Sequence, residues 1–208
     1  MEFEYDKHTR VARYAYALIA LALYGCLAVA SQAGFSADQY INIKIGDERL
    51  QRVVTFTVPK VYAPQFNENF FRLVVDYPSM QPTIGPKEYK LDDDSLAIVV
   101  EAYPKNGTMA DSVVEGIYGA KKIGSQDGYT IYSEPLGKSA PTKGFAYEDA
   151  QNNNVAVRDP GAWSIRYEIT HGIKPYYLIK CSFSKNLNIP FRDIDDAASK
   201  FIASMFTK

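Results

Sequence analysis

Apolar and polar residues alternate along much of the chain after residue 38. Ile41, Ile43 and Ile45 alternate with polar residues, and residues 54–58 repeat the pattern. A period of two indicates β-strands with one buried face and one solvated face. The same alternation predicts six further strands, at 71–77, 96–102, 129–133, 145–149, 163–169 and 176–183. Their short polar connections, such as 152–154 and 170–175, favour an antiparallel meander over parallel βαβ units.

Two segments have helical spacing instead. Near the C-terminus, one continuous apolar stripe has the spacing i, i+3, i+4, i+7, i+8 and i+11, at Ile194, Ala197, Ala198, Phe201, Ile202 and Met205. This stripe predicts a helix packed on the sheet, and the carboxylates of 193–196 suit the positive end of its dipole. A second helix is predicted at 111–122, capped by Thr108 with Asp111 three residues later and stopped by Gly124.

The N-terminal region has a different character. No charged residue occurs from Tyr14 to Ala37, whereas three basic residues precede this stretch and the next one after it is Lys44. This asymmetry predicts that the N-terminus stays cytoplasmic and that the rest of the chain is exported. Three fates remain open: a signal peptide cleaved after Ala30, lipidation at Cys26 within a lipobox-like sequence, or retention as a membrane anchor.

These patterns together predict the fold class and the domain organisation. Residues 1–30 form a signal peptide or membrane anchor, and residues 38–208 form one exported domain, since no repeat, linker or change of composition divides them. The predicted fold is α+β: a single antiparallel β-sheet covered by the C-terminal helix and one further helix. Trp163, the single tryptophan, is expected in the core.

Composition and charge exclude several classes of function. The chain has 208 residues, of which 47% are hydrophobic and 23% charged, as in ordinary globular proteins. Its net charge of −1 offers no basic field for nucleic acid, so we expect no nucleic-acid partner. With two Cys and two His, a multi-cysteine zinc site and a disulfide scaffold are excluded, and we expect no cofactor and no metal.

Few residues offer catalytic chemistry. His171 follows Thr170 and precedes Gly172, which predicts an exposed turn residue without a nucleophile to serve. Cys181 alternates with Ile179 and Phe183, which predicts a buried thiol that packs as a small hydrophobic residue. We therefore predict that the protein is not an enzyme, although a pair of carboxylates suited to hydrolysis cannot be recognised from sequence spacing.

The segment 78–94 is the most distinctive loop. Its three prolines stiffen it, and it carries Met80, Ile84 and Tyr89 as apolar side chains, followed by three consecutive carboxylates at Asp92, Asp93 and Asp94. A stiff loop with apolar anchors and acidic residues suits recognition of another protein. These six residues are the predicted partner-binding site, and the alternative is that the apolar ones pack into the core and the acidic ones are solvated.

Two sequence stretches carry a resemblance to a known class of proteins. Residues 56–62 (FTVPKVY) and 73–82 (LVVDYPSMQP) are similar to a pattern found in small exported proteins of Gram-negative bacteria. Some of those proteins are regarded as immunity proteins against toxins delivered by type VI secretion. The resemblance implies a periplasmic protein that binds another protein, and it implies no catalytic residue.

Two hypotheses of function follow. The first is a non-catalytic protein of the periplasm, or of the periplasmic face of a membrane, that binds another protein, for example a toxin encoded by a neighbouring gene. Membrane contact would then involve only the N-terminal segment. The alternative is a carbohydrate- or small-ligand-binding envelope protein, because 16 Tyr and 11 Phe would provide a stacking platform for sugar rings if several were exposed. A carboxylate-based hydrolase belongs to the same alternative.

Overall fold

The computed structural model describes residues 39–47, 52–83, 91–134 and 142–207. From Tyr40 onward the protein forms one compact unit. Within the described ranges, no helix combines the length and the apolarity that a bilayer span requires. The predicted signal or anchor at 1–30, the lipidation at Cys26, and the loop residues Ile84 and Tyr89 lie outside the described residues.

The described chain contains thirteen strands and two α-helices. The strands are β1 (Tyr40–Asp47), β2 (Arg52–Pro59), β3 (Gln65–Phe66), β4 (Phe70–Asp76), β5 (Gln81–Pro82), β6 (Ser95–Ala102), β7 (Lys121–Gln126), β8 (Tyr129–Glu134), β9 (Thr142–Glu148), β10 (Asn154–Asp159), β11 (Arg166–Ile173), β12 (Tyr177–Ser184) and β13 (Phe206–Thr207). The helices are α1 (Met109–Val114) and α2 (Phe191–Ala203).

The strands form two antiparallel sheets rather than the single sheet predicted from the sequence. The large sheet has the order β3-β4-β6-β12-β11-β10-β9-β8-β7, with β5 paired to β4, and the small sheet has the order β1-β2-β13. The predicted meander holds from β7 to β12, where each strand pairs with the next. Before the meander, the chain crosses from β6 by way of α1 to β7 at the far edge of the large sheet, and at the end of the meander β12 pairs with β6.

The core lies between the large sheet on one side and the small sheet and α2 on the other. Phe56 of β2 links the two sheets, because its ring centroid lies 4.9 Å from that of Phe71 and 5.2 Å from that of Tyr177. The alternating residues of β4, β6 and β12 that face this layer are fully buried, as the strand period predicts. β13 was not predicted, because two residues are too short to show a period.

The predicted C-terminal helix is confirmed as α2. Ile194, Ala198 and Ile202 of its stripe are fully buried, while Ala197 and Phe201 are partly buried against the same core. The helix ends at Ala203, so Met205 lies after it and is still buried.

The second predicted helix is present but much shorter than 111–122. Its start is as predicted: Thr108 caps α1 in a capping box with Asp111. Its end is not, because Gly116 adopts a left-handed conformation with φ of 72° and breaks the helix. A 3-10 turn follows at Ile117–Gly119, and Gly124 belongs to strand β7 instead of stopping a helix.

The predicted turn at 170–175 is wrong, so His171 is not the exposed turn residue that the sequence predicts. Strand β11 continues through Ile173, so the turn begins at Lys174. His171 pairs with Ile179 of β12 and with Val155 of β10 and is buried, because it shares the core face with Ile169. Trp163 lies in a 3-10 turn before β11 rather than in a strand.

Candidate functional site: a cleft on the open face of the large sheet

The large sheet leaves its second face accessible. On β10, β11 and β12, every other residue points away from α2, and these residues are mostly polar or small. We call this surface, together with Glu101 on the neighbouring strand β6, the open face; it carries Arg158, Glu168, Thr170 and Lys180. A sheet face with charged residues is typical of contact with water or with another molecule.

The strand register explains why the open face is hollow at its centre. One row across the sheet runs from Lys180 to Thr170, Ala156 and Ala146, through paired positions on β12, β11, β10 and β9. The side chains of Thr170, Ala156 and Ala146 are short, whereas that of Lys180 is long. The sheet surface is therefore recessed along the three short side chains. The next row includes Gly144, which pairs with Arg158 and adds no side chain.

Helix α1 forms a wall on this hollow surface. Val113 of α1 packs against Tyr132 and Ala146, which attaches the helix to the meander. The chain entering α1 crosses β11 at Gly172, where a side chain would meet the Thr108 methyl group at 2.7 Å and the Tyr103 ring at 2.9 Å. A glycine is therefore required for this close approach.

The carboxylate of Asp111 fixes the start of α1. Its Oδ2 accepts hydrogen bonds from the backbone N–H of Thr108 at 2.8 Å, from the Thr108 hydroxyl at 2.9 Å and from the Tyr103 hydroxyl at 3.1 Å. Its Oδ1 accepts from Asn154 at 2.9 Å and from Lys174 at 3.2 Å. Burial opposes the charge, but these donors outweigh it and hold the pKa of Asp111 well below its usual value. The wall is therefore attached to β10 and to the β11–β12 turn.

Between this wall and the strands lies a cleft of 540 Å³. Its strand side is lined by Ala156, Thr170 and Leu178, together with the charged residues Glu101, Arg158, Glu168 and Lys180. Its other side is lined by α1 and the segments flanking it, at Pro104, Gly107, Thr108, Met109, Val113, Ile117 and Ala120. The volume falls within the range of pockets that enclose a ligand or a side chain of a partner.

The charged residues of the cleft form two pairs. Lys180 donates to Glu101 at 2.7 Å, and Arg158 lies 3.9 Å from Glu168. All four side chains are partly exposed. The cleft therefore has charge of both signs and no excess of either among these residues.

The wall also exposes apolar side chains to water. Met109 is 58% exposed, Ile117 45% and Val114 39%, and the first two line the cleft. Adjacent exposed apolar residues beside a polar rim are a common feature of surfaces that bind proteins. The cleft and these three residues are therefore the candidate functional site.

A buried cluster around His171 has a different role. Nδ1 of His171 lies 2.9 Å from Asp195 of α2 and 3.1 Å from the Ser199 hydroxyl, and Nε2 lies 3.0 Å from Asp149. The Tyr147 hydroxyl donates to Asp195 at 2.8 Å. Both ring nitrogens are occupied and the His171 side chain is 4% exposed, so a substrate has no access. The cluster ties α2 to β9 and β11.

The charge of this cluster follows from its partners. Burial disfavours a charged imidazole, but the hydrogen bonds and negative charges of Asp195 and Asp149 outweigh it, so the pKa of His171 is raised above 6.5. The pKa of Asp149 is lowered despite burial, because Asn153, Gln151 and His171 donate to it. The pKa of Tyr147 is raised by burial and by the Asp195 carboxylate. His171 is therefore protonated more readily than a free imidazole, because it lies between Asp195 and Asp149.

Of the six residues predicted as a partner-binding site, the four that the structure describes do not line the cleft. Met80 is buried in the core, and the Tyr62 hydroxyl donates to its carbonyl. Asp92, Asp93 and Asp94 are exposed. Asp93 accepts hydrogen bonds from Ser184 and Asn186, which lower its pKa.

One further sequence prediction concerns the thiol of Cys181. Cys181 is buried as predicted, and burial raises the pKa of its thiol to about 12. Within the described ranges, no group of three or more His, Cys, Asp or Glu side chains is arranged so that it could hold a metal ion. Among the aromatic residues whose side chains the structure describes, most are buried or partly buried, and Phe66 on β3 and Tyr176 in the β11–β12 turn are exposed.

Comparison with known proteins supports the fold. No protein-family model matches the chain, and no curated protein matches it in sequence. Among solved structures, it is similar to Smlt3025, an immunity protein of the Stenotrophomonas maltophilia type IV secretion system, with a TM-score of 0.54. The match covers 82% of this chain and 94% of that one at 12% sequence identity. The chain therefore shares its fold with an immunity protein of a bacterial secretion system.

Proposed function

We propose that this protein is a non-catalytic immunity protein that binds a toxin and neutralises it in the periplasm. The observation that carries the proposal is the cleft with its exposed apolar wall. When a partner covers such a surface, apolar side chains leave water, and this lowers the free energy of the complex. The shared fold with Smlt3025, which is an immunity protein, supports the same class of function.

The proposed compartment rests on the sequence. The uncharged stretch from Tyr14 to Ala37, preceded by basic residues, supports export of the domain. The structural neighbour belongs to a type IV secretion system, whereas the sequence resemblance is to proteins associated with type VI secretion. The proposal concerns neutralisation of the toxin, which does not depend on the route of delivery.

The test uses the gene adjacent to the one for this protein, since an immunity protein is normally encoded beside its toxin. The protein encoded by the adjacent gene is directed to the periplasm of a heterologous bacterium, once with this protein co-expressed and once without it. We expect growth arrest without it, growth with it, and co-purification of the two proteins. Failure of every adjacent product to bind this protein would refute the proposal.

A pair of variants connects the function to the candidate site. Met109→Asp combined with Ile117→Asp places charges on the apolar wall, and we expect rescue of growth to be lost. Ile165→Asp is the matched control, because Ile165 is 72% exposed and does not line the cleft. Equal rescue by both variants would place the toxin contact elsewhere.

The acidic residues Asp92 and Asp94 are proposed as a second contact. Replacing both by Asn leaves Asp93 and its hydrogen bonds to Ser184 and Asn186 in place. If this segment binds a basic surface of the toxin, the double variant weakens the complex at low salt and much less at high salt. If the double variant binds the toxin at low salt with unchanged affinity, this acidic segment is not part of the interface.

A further inference from the structure

We infer that the cleft receives an uncharged apolar side chain, aromatic or branched aliphatic, that projects from the partner protein. This inference rests on the proposed function and adds the chemistry of the group that is recognised. It is carried by three observations: the paired charges, the shape of the strand side and the exposed residues of the wall.

The paired charges disfavour a charged group. Lys180 and Glu101 satisfy each other at 2.7 Å, and Arg158 lies 3.9 Å from Glu168. An anionic group would have to compete with a carboxylate already bound to Lys180, and a cationic group would have to compete with Lys180 for Glu101. An uncharged group leaves both pairs intact, so it avoids this competition and costs only the partial desolvation of the two pairs.

The shape of the strand side favours one bulky group. The short side chains of Ala156 and Thr170 lie in register on β10 and β11, and Leu178 provides an apolar surface beside them. At 540 Å³ the cleft is large enough for a ring and part of the backbone that carries it.

The exposed apolar side chains of the wall would be buried by the partner's side chain, and their burial would favour binding. Met109 and Ile117 are about half exposed and line the same cleft. A methionine adapts its shape to irregular partners and makes favourable contacts with aromatic rings. An apolar group between these residues and Leu178 would be enclosed on two sides.

The experiment uses small analogues of side chains as probes, so it does not require the toxin. Purified, isotope-labelled protein is titrated with p-cresol and indole, which are neutral, and with benzoate and benzylammonium, which are ring compounds of opposite charge. We expect the neutral probes to shift the amide resonances of Ala156, Thr170 and Leu178 in a saturable way. We expect both charged probes to bind at least about tenfold more weakly, which corresponds to about 1.4 kcal/mol.

Variants locate the binding and test the role of charge. Thr170→Phe fills the cleft and is expected to abolish the shifts, whereas Thr55→Phe, at a half-buried strand position of the small sheet, is expected to leave them unchanged. Glu101→Gln releases Lys180 from its partner, so the affinity for benzoate is expected to rise relative to that for p-cresol. This second variant keeps the test decisive if Thr170→Phe does not fold.

The outcomes separate this inference from the proposed function. Binding of the charged probes as tightly as the neutral ones, or no binding of any probe at the cleft, would overturn the inference. A toxin that is neutralised although no probe binds would leave the proposed function in place and refute the apolar anchor alone. Neutral probes that bind the cleft, with no toxin neutralised, would leave the cleft chemistry in place and refute the immunity role.

Discussion

At the scale of single residues, Asp195 is a buried carboxylate on which the contacts of the His171 cluster depend. It is buried and accepts hydrogen bonds from Tyr147 and His171. Asp195→Ala would leave the buried Tyr147 hydroxyl without its acceptor and would remove a carboxylate from the buried His171, so we expect a loss of about 3–5 kcal/mol in the free energy of unfolding, measured with urea. The control is Asp196→Ala on the exposed side of the same helix, expected to cost less than about 0.5 kcal/mol. Similar losses in the two variants would contradict the role of the cluster.

The raised pKa of His171 predicts a dependence of stability on pH. A group whose pKa is raised on folding contributes stability below its unfolded pKa, and this contribution is lost as the pH rises through the folded pKa. From the usual value of 6.5 upward, the free energy of unfolding should therefore fall in the wild type more than in His171→Gln. Unfolding of both proteins by urea between pH 6 and pH 9 measures this, and parallel curves would show that His171 does not titrate there.

Cys181 is expected to be chemically inert. Its side chain is buried and its pKa is raised to about 12, so very little thiolate is present near neutral pH. In a Cys26→Ser background, a thiol reagent should not react with the folded protein and should react once after unfolding. Rapid reaction of the folded protein would refute the prediction.

At the scale of elements, α1 depends on its cap. The Thr108 hydroxyl accepts a hydrogen bond from the Asp111 backbone N–H at 3.1 Å and donates to its carboxylate. Thr108→Ala should lower the free energy of unfolding by about 1 kcal/mol. Ser112→Ala, in the middle of the same helix, should change it little. If the two variants have equal stability, the cap does not hold the wall of the cleft.

Helix α2 provides a second comparison between adjacent residues. Ile202 is fully buried, so Ile202→Ala should cost about 2–5 kcal/mol. Phe201 is only partly buried, with its ring beside that of Tyr62 at 5.3 Å, so Phe201→Ala should cost less than Ile202→Ala. Urea unfolding of both variants measures the order, and the reverse order would contradict the orientation of the helix.

The sequence predicted the elements whose period is long enough to read. Helix α2 and strand β12 show their buried faces directly in the spacing of apolar residues. The predicted length of helix α1 is too great because the apolar spacing continues past Val114. The positive φ of Gly116 ends the helix instead. β7 was missed because its six residues are all exposed and show no alternation.

The candidate site was not predictable in the same way. The cleft results from strand register, which brings Thr170 of β11 beside Lys180 of β12 and Ala156 of β10. No local pattern encodes that pairing. The His171 cluster had a readable signal: His171 lies two residues after Ile169, and Asp195 lies three residues before Ala198 on the stripe.

At the scale of the whole molecule, one face of the large sheet packs in the core and the other carries the candidate binding cleft. One face is closed by α2 and the small sheet and supplies the stability of the fold. The other face carries the cleft beside α1. Substitutions such as Ile202→Ala should therefore change stability without a specific effect on partner binding, and substitutions in the wall of the cleft should do the reverse.

The most direct test of the central claim is the affinity for the toxin encoded by the adjacent gene, measured by calorimetry. The wild type is compared with Met109→Asp/Ile117→Asp and with Ile165→Asp, each first shown to be folded. The account predicts a loss of more than about 30-fold for the double variant, as expected for residues at the centre of an interface, and little change for the control. A folded double variant that binds the toxin as tightly as the wild type would contradict the claim that the cleft is the binding surface.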